Sequence, residues 1–363
     1  MSVPRPALVL AATTCAIALV STPAAADSRH HPRPASAVTV VAEGLNGPRQ
    51  LSEGHHQIYV AESDAGQITR VDPRTGRTRV VLSGLASPQG VVRIGDRFYV
   101  ATGGAPDSGP GAQQPPAIMT ARAGQTPTKF ADPLAYELAA NPDGQSQEDP
   151  AADALSNPYF LLRDRSPRGF LLLADAAGNA ILRVDRRGRL STLVVLPVQE
   201  TGACAEVPNN STSGTGCDPV PTGMAYGPDG LLYVSALTAE LPGEGRVYLV
   251  DPRSGRIVRT LTGFTGPTGV EVDRRGTVYV SELFEGAPAG EPGPGFDPST
   301  LGQITRVAGN GRRTHAQVTE PTGLLIRRGE LYASAWSVAG FLPGIPDAGQ
   351  VVAVGARAFV PAS

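Results

Sequence analysis

The chain has 363 residues, 41% of them hydrophobic and 18% charged, with a formal net charge of −2. That is enough apolar material for a sizeable core and excludes a disordered composition. The near-neutral balance leaves no electrostatic footprint for nucleic acid or an anionic membrane.

Residues 1–26 read as a secretory leader. Arg5 lies near the start, Ala7 to Val20 is an uncharged, mostly apolar run, and Ala24-Ala25-Ala26 offers an A-x-A cleavage site. Cleavage near Ala26 would release the mature chain outside the cell. The apolar run is too short for a membrane span, so no membrane insertion of the mature chain is expected. A lipid anchor on Cys15 would need small residues where Thr13-Thr14 stand. Residues 27–37, with Pro32 and Pro34, read as a flexible lead-in. Residues 38–363 remain as one domain.

That domain repeats. A Pro-led apolar strand opens each unit: Pro48-Arg49-Gln50, Pro88-Gln89-Gly90, Pro158-Tyr159-Phe160, Pro221-Thr222-Gly223, Pro267-Thr268-Gly269 and Pro321-Thr322-Gly323. A second strand follows after a tight turn, as in Tyr59-Val60-Ala61-Glu62 and Tyr279-Val280-Ser281-Glu282. Third strands such as Gln67 to Asp72 and Arg246 to Asp251 come next, then a Gly turn and a last apolar strand. Six copies of a four-strand unit predict an all-β, six-bladed β-propeller. An all-β sandwich explains the strands but not the repeat. The last copy lacks a fourth strand and the first is preceded by a spare one, Val38 to Ala42. The N-terminal strand should therefore complete the last blade and close the ring.

Connections between first and second strands are short, as are most between third and fourth. The long ones, such as Phe284 to Gly302, Ala131 to Asn157 and Val198 to Val220, fall where an antiparallel blade exposes one common face. Insertions gathered on one face mark a binding face in repeat folds. In the insertion before blade three, Asp132-Pro133 should cap a short helix with Leu134 and Leu138 on one side. Asn141-Pro142-Asp143-Gly144 and Ser156-Asn157-Pro158-Tyr159 carry turn signals. Two readings stand for this stretch: a capped loop held by Asx-turns, or a site placing Asp153 and Asn157 beside Asp175 and Asn179. In the insertion before blade four, Cys204 and Cys217 are the two cysteines left after leader removal. An oxidising compartment favours a disulfide between them.

Three second strands end in carboxylates, Glu62, Asp175 and Glu282, in blades one, three and five; Thr102, Ala236 and Ala335 take the position in the others. Ring symmetry points them toward the channel mouth. They could ligate Ca²⁺ or another divalent metal, line a solvated rim paired with donors such as Arg49, or bind a polar ligand. No G-x-S-x-G elbow, phosphate loop or dinucleotide fingerprint is present. The histidines lie in the lead-in, in a turn on the opposite face (His55, His56) and in an outer strand (His315), away from the channel mouth.

Tyr136-Glu137, Asn141-Pro142-Asp143-Gly144, Ser156-Asn157-Pro158-Tyr159, Ala174-Asp175-Ala176 with Asn179, and the Pro-Thr-Gly and Tyr-Val-Ser-Glu copies resemble the ScyD/ScyE family over about residues 38 to 359. The blade signatures are also similar to NHL-type and gluconolactonase-type propellers. Cyanobacterial members are associated with extracellular scytonemin synthesis, though most members occur without that pigment. Gluconolactonase-like propellers hold a divalent metal at the channel mouth through acidic and Asn side chains. That resemblance offers Glu62, Asp175, Asn179 and Glu282 for the part, with Asp175 or Glu282 as a catalytic base.

Two functions follow. One is a secreted module binding a small molecule, glycan or protein partner on its loop-rich face, with Arg49, Asp153, Asn157, Tyr159 and Asn179 as ligand-binding candidates. The other is a metal-dependent extracellular enzyme, lactonase-like or acting on phenolic or indolic precursors. A monomer is expected in either case.

Overall fold

The computed structural model describes residues 37–54, 56–104, 114–148, 155–167, 169–288, 295–340 and 344–361. Residues 1–36, with Cys15, and Asp153 lie outside the described residues.

The domain is six antiparallel sheets. Blade one runs from the axis outward as Pro48–Glu53, Ile58–Glu62, Gln67–Val71 and Thr78–Leu82. Blade three repeats this with Pro158–Arg163, Leu171–Asp175, Ala180–Val184 and Leu190–Val195. Each inner strand packs against the inner strands of its two neighbours, and blade six meets blade one. The spare strand closes the ring as expected: Val38–Leu45 pairs antiparallel with Gly349–Val354 as the outer strand of blade six.

Burial explains the sequence pattern. Ile58–Glu62, Leu171–Asp175 and Leu232–Ala236 are buried at every residue. A second strand has a neighbouring blade on each face, so it reads as a continuous buried run. Among the described residues the core is divided into inter-blade clusters: blades one and two share Tyr59, Ile68, Val91 and Phe98, and blades three and four share Leu172, Ile181, Met224 and Val234. Each such buried aliphatic side chain contributes about 1.5–3 kcal/mol.

The Pro-Thr-Gly copies knit the axis. Thr222, Thr268 and Thr322 donate through Oγ1 to the carbonyls of Pro267, Pro321 and Pro48, at 2.7, 2.8 and 3.0 Å. Each bond reaches the next blade. The glycine that follows lets the next backbone in: a Cβ on Gly269 would lie 2.4 Å from the Thr322 carbonyl, and one on Gly323 would lie 2.4 Å from that of Arg49. In blade one Gln50 replaces this glycine. Its side chain passes over Gly90, bonding Val91 N, Leu161 N and Leu161 O at 3.1, 3.1 and 2.7 Å, so it ties three blades together.

One strand was not expected. Val360–Pro361 pairs with Thr314 and His315, adding a fifth strand to blade five. Phe359 packs edge-on against Tyr279 there.

Candidate functional site at the axial mouth

The three carboxylates are clamps within their own blades. Glu62 accepts from Asn46 N at 2.8 Å and Gln67 Nε2 at 3.0 Å. Asp175 accepts from Ser156 Oγ and Asn157 N, both at 2.7 Å, and from Gly178 N at 3.3 Å. Glu282 accepts from Thr265 N at 2.7 Å, from Gln303 Nε2 at 3.2 Å and from Thr305 Oγ1. In each case a backbone donor belongs to the connection entering that blade. The groups are 2%, 2% and 3% exposed, so their lone pairs face the protein and not the channel.

Each carboxylate is thus engaged separately, within its own blade. Among the described residues, no group of three or more His, Cys, Asp or Glu side chains is arranged to hold a metal ion. The donors around Glu62, Asp175 and Glu282 occupy their oxygens in three separate blades and do not fit a shared divalent cation. The same satisfied, buried geometry leaves Asp175 and Glu282 poorly placed as bases for a substrate. Burial, with the charge of Asp143, raises Asp175 to about 6 against the pull of its three donors.

The distinctive insertion folds as a capped loop. Asp132 accepts from Ala135 N at 3.0 Å and caps the helix Pro133–Ala140, whose last turn ends at left-handed Asn141. Leu134 packs on Leu155, whereas Leu138 is exposed. Asp143 makes the Asx-turn through Gln145 N at 3.1 Å. Asn179, 1% exposed, donates to Asp143 Oδ2 at 3.0 Å and accepts from Val220 N at 3.3 Å. It joins two insertions and offers no surface to a ligand. Glu137, absent from the sequence-based site residues, lies across Gly178 from Asp175 and is pushed up to about 7, chiefly by burial. Only the Tyr136-Glu137 pair in the sequence signalled it.

The second insertion is closed by a disulfide between Cys204 and Cys217, both fully buried. It leans on the first: Ser146 N donates to Asn210 O at 3.1 Å, and Gln145 bonds Asp218.

Of the remaining candidates, Arg49, Asn157 and Tyr159 lie at or just before the starts of inner strands. Inner strands begin on the loop-rich face, and the residue after each leading proline rings the axis there. Blades four, five and six supply Thr222, Thr268 and Thr322, consumed in the ring bonds above. Blades one, two and three supply Arg49, Gln89 and Tyr159, and these reach further. Arg49 donates to Ser337 O, lies 4.0 Å from Asp64, and its charge acts on both Tyr159 and Glu320. Gln89 Nε2 donates to Ser87 Oγ at 2.9 Å. Asn157 Oδ1 and Gln89 Nε2 both flank Gly103, 2.8 and 3.6 Å from where its Cβ would be. Gln89 Oε1, Asn157 Oδ1 and Glu320 Oε1 are buried and find no donor among the described residues. Glu320, fully buried, is raised by desolvation while Val338 N and Arg49 pull it down. Sequence reasoning picked Arg49, Asn157 and Tyr159 from this set. It missed Gln89 and Glu320, although Gln89 stands in register with Arg49 in the repeat.

Two cavities open on the other face. One of about 740 Å³ fills the turn-side mouth of the channel and another of about 710 Å³ lies beside it in blade three; a cleft of about 290 Å³ lies on the loop side near Thr102 and Gln114.

This geometry is that of a closed six-bladed propeller. Solved structures of the same architecture include a gluconolactonase from Xanthomonas campestris, 13% identical, covering 87% of this chain and 89% of that one at a TM-score of 0.54. A luciferin-regenerating enzyme is 11% identical over 90% and 97% of the two chains, with a TM-score of 0.55. A calcium-binding protein, regucalcin from Agrobacterium tumefaciens, is 12% identical over 90% and 95%, with a TM-score of 0.51. At these identities the shared property is the fold. No family model matches the chain, and no curated protein matches it.

Proposed function

We propose that the chain is an exported binding module that holds a small, hydroxyl-rich molecule, such as a sugar unit of a glycan, at the loop-side mouth of its axial channel. The observation that carries this reading is the set of buried acceptors without donors, Gln89 Oε1, Asn157 Oδ1 and Glu320 Oε1, beside the Arg49 guanidinium and the Tyr159 ring. Buried acceptors left unpaired are costly, and ligand hydroxyls supply the missing donors. Tyr159 is half-buried, with its ring packed on the cluster shared by blades three and four. The ScyD/ScyE-like motifs supply the surrounding scaffold, since Asp175 fixes Ser156-Asn157. Export rests on the leader-like residues 1–26 and accords with the disulfide.

The test is calorimetric titration of the mature chain with a panel of mono- and disaccharides. Binding should weaken at least ten-fold in Arg49→Gln and in Gln89→Ala while both variants melt within a few degrees of the parent. Equal binding by the parent and both variants, or no binding by any sugar, would overturn the reading. Hydrolysis of an aldonolactone by the parent would replace it with the lactonase alternative.

A further inference from the structure

We propose that the turn-side mouth of the channel is a second binding site, for a small organic oxyanion carrying at least two carboxylate or phosphate groups. It is distinct from the loop-side mouth and shares no residue with it.

The cavity there is about 740 Å³, within the range of small-molecule sites. Its floor is built by inner-strand ends from five blades, with Ile94, Leu162, Met224 and Ile326 supplying apolar surface. Its rim carries Arg163, Arg165, Arg186 and Arg274. None of these four forms a carboxylate ion pair among the described residues. The nearby acids are already engaged. Asp164 accepts from Ser166 N and Oγ, both at 2.8 Å, and pairs with Arg183 at 3.5 Å. Asp273 accepts from Arg275 N and Thr277 N at 2.8 and 2.9 Å.

Two of the arginines are held in place without losing their donors. The Arg165 guanidinium stacks 4.4 Å from the Tyr226 ring centre, and that of Arg186 lies 5.4 Å from Phe170. Stacking fixes the plane and leaves the N–H edges free for a bidentate oxyanion. At the floor, Glu271 is half-buried in the channel wall. Burial pushes its carboxyl up to about 8, with Glu53 adding and Val272 N, Ile326 N and Arg165 opposing. Below that pH it is a neutral donor and adds to the pull on an anion.

Citrate and 2,3-bisphosphoglycerate are the probes, titrated separately into the mature chain at constant ionic strength. One of them should bind saturably at one per chain, and the tighter probe identifies the oxyanion. Arg163→Gln/Arg274→Gln should weaken it at least ten-fold, as should Arg165→Gln; all of these residues are exposed, so the fold is retained. Arg49→Gln should bind it unchanged, which separates this site from the loop-side reading. No saturable binding of either probe at millimolar concentration, or parent-like binding by the double variant, would overturn the proposal.

Discussion

At the scale of single residues, the lesson lies in where a carboxylate points. Glu62, Asp175 and Glu282 occupy equivalent ring positions, and equivalence suggested a shared target. Each instead turns to the backbone N–H of the connection entering its blade, because a buried N–H without an acceptor costs about 1–3 kcal/mol. Asp175 should therefore matter to stability more than to ligand affinity. Asp175→Asn keeps one acceptor but turns the other into a donor facing Ser156 and Asn157. The variant should lose about 2 kcal/mol, seen as a midpoint several degrees lower. The size of that loss depends on pH. A carboxyl raised from 3.8 to about 6 in the fold contributes stability that is full below its unfolded value and is lost as pH rises through its folded value. Asparagine does not titrate there. The gap in midpoint between parent and variant should thus shrink between pH 4 and pH 7. A gap that widens over that range would mean that Asp175 is held ionised.

At the scale of elements, the two long insertions behave as one structure. The loop before blade three and the disulfide-closed loop before blade four meet through Ser146, Asn210, Gln145, Asp218 and Asn179. Gln199, Glu244 and Arg246 fasten the disulfide loop to blade four. Much of this was legible as local chemistry. The Asp132 cap, the Asp143 turn and the cysteine pair follow from residue types at fixed spacing. What could not be read was which polar groups the loops would use up on each other. Asn179 looks like a ligand residue until Val220 N and Asp143 are found on it. Closing the 13-residue separation between Cys204 and Cys217 restricts the unfolded chain by about 3 kcal/mol. The double variant Cys204→Ser/Cys217→Ser should show a corresponding loss in denaturant unfolding. Amide exchange should speed up in 199–218 and 141–148 together, because the insertions lean on each other. Acceleration confined to 199–218 would show that they do not.

At the scale of the whole molecule, the ring was the most legible feature. Six Pro-led strands and six following buried strands recur because every blade meets the same two neighbours. The closing strand could be inferred from a missing fourth strand at one end and a spare one at the other. The two-residue strand Val360–Pro361 could not, since nothing in so short a pair repeats. These two additions to the blades differ in consequence. Val38–Leu45 covers the Gly349–Val354 edge and places Ala42 and Leu45 in the cluster shared by blades six and one. Removing it leaves an open edge and a half-empty interface at the one place where the ring is held by strand pairing between its two ends. Val360–Pro361 only extends blade five on its outside. A chain starting at Asn46 should therefore elute as aggregate or melt without a cooperative transition, whereas one ending at Ala358 should stay monomeric with a midpoint a few degrees lower. Gel filtration and thermal melting of the two truncations check this. A cooperative, monomeric chain from Asn46 would mean that the inner ring of Thr–Pro bonds and glycine contacts closes the propeller without the strand.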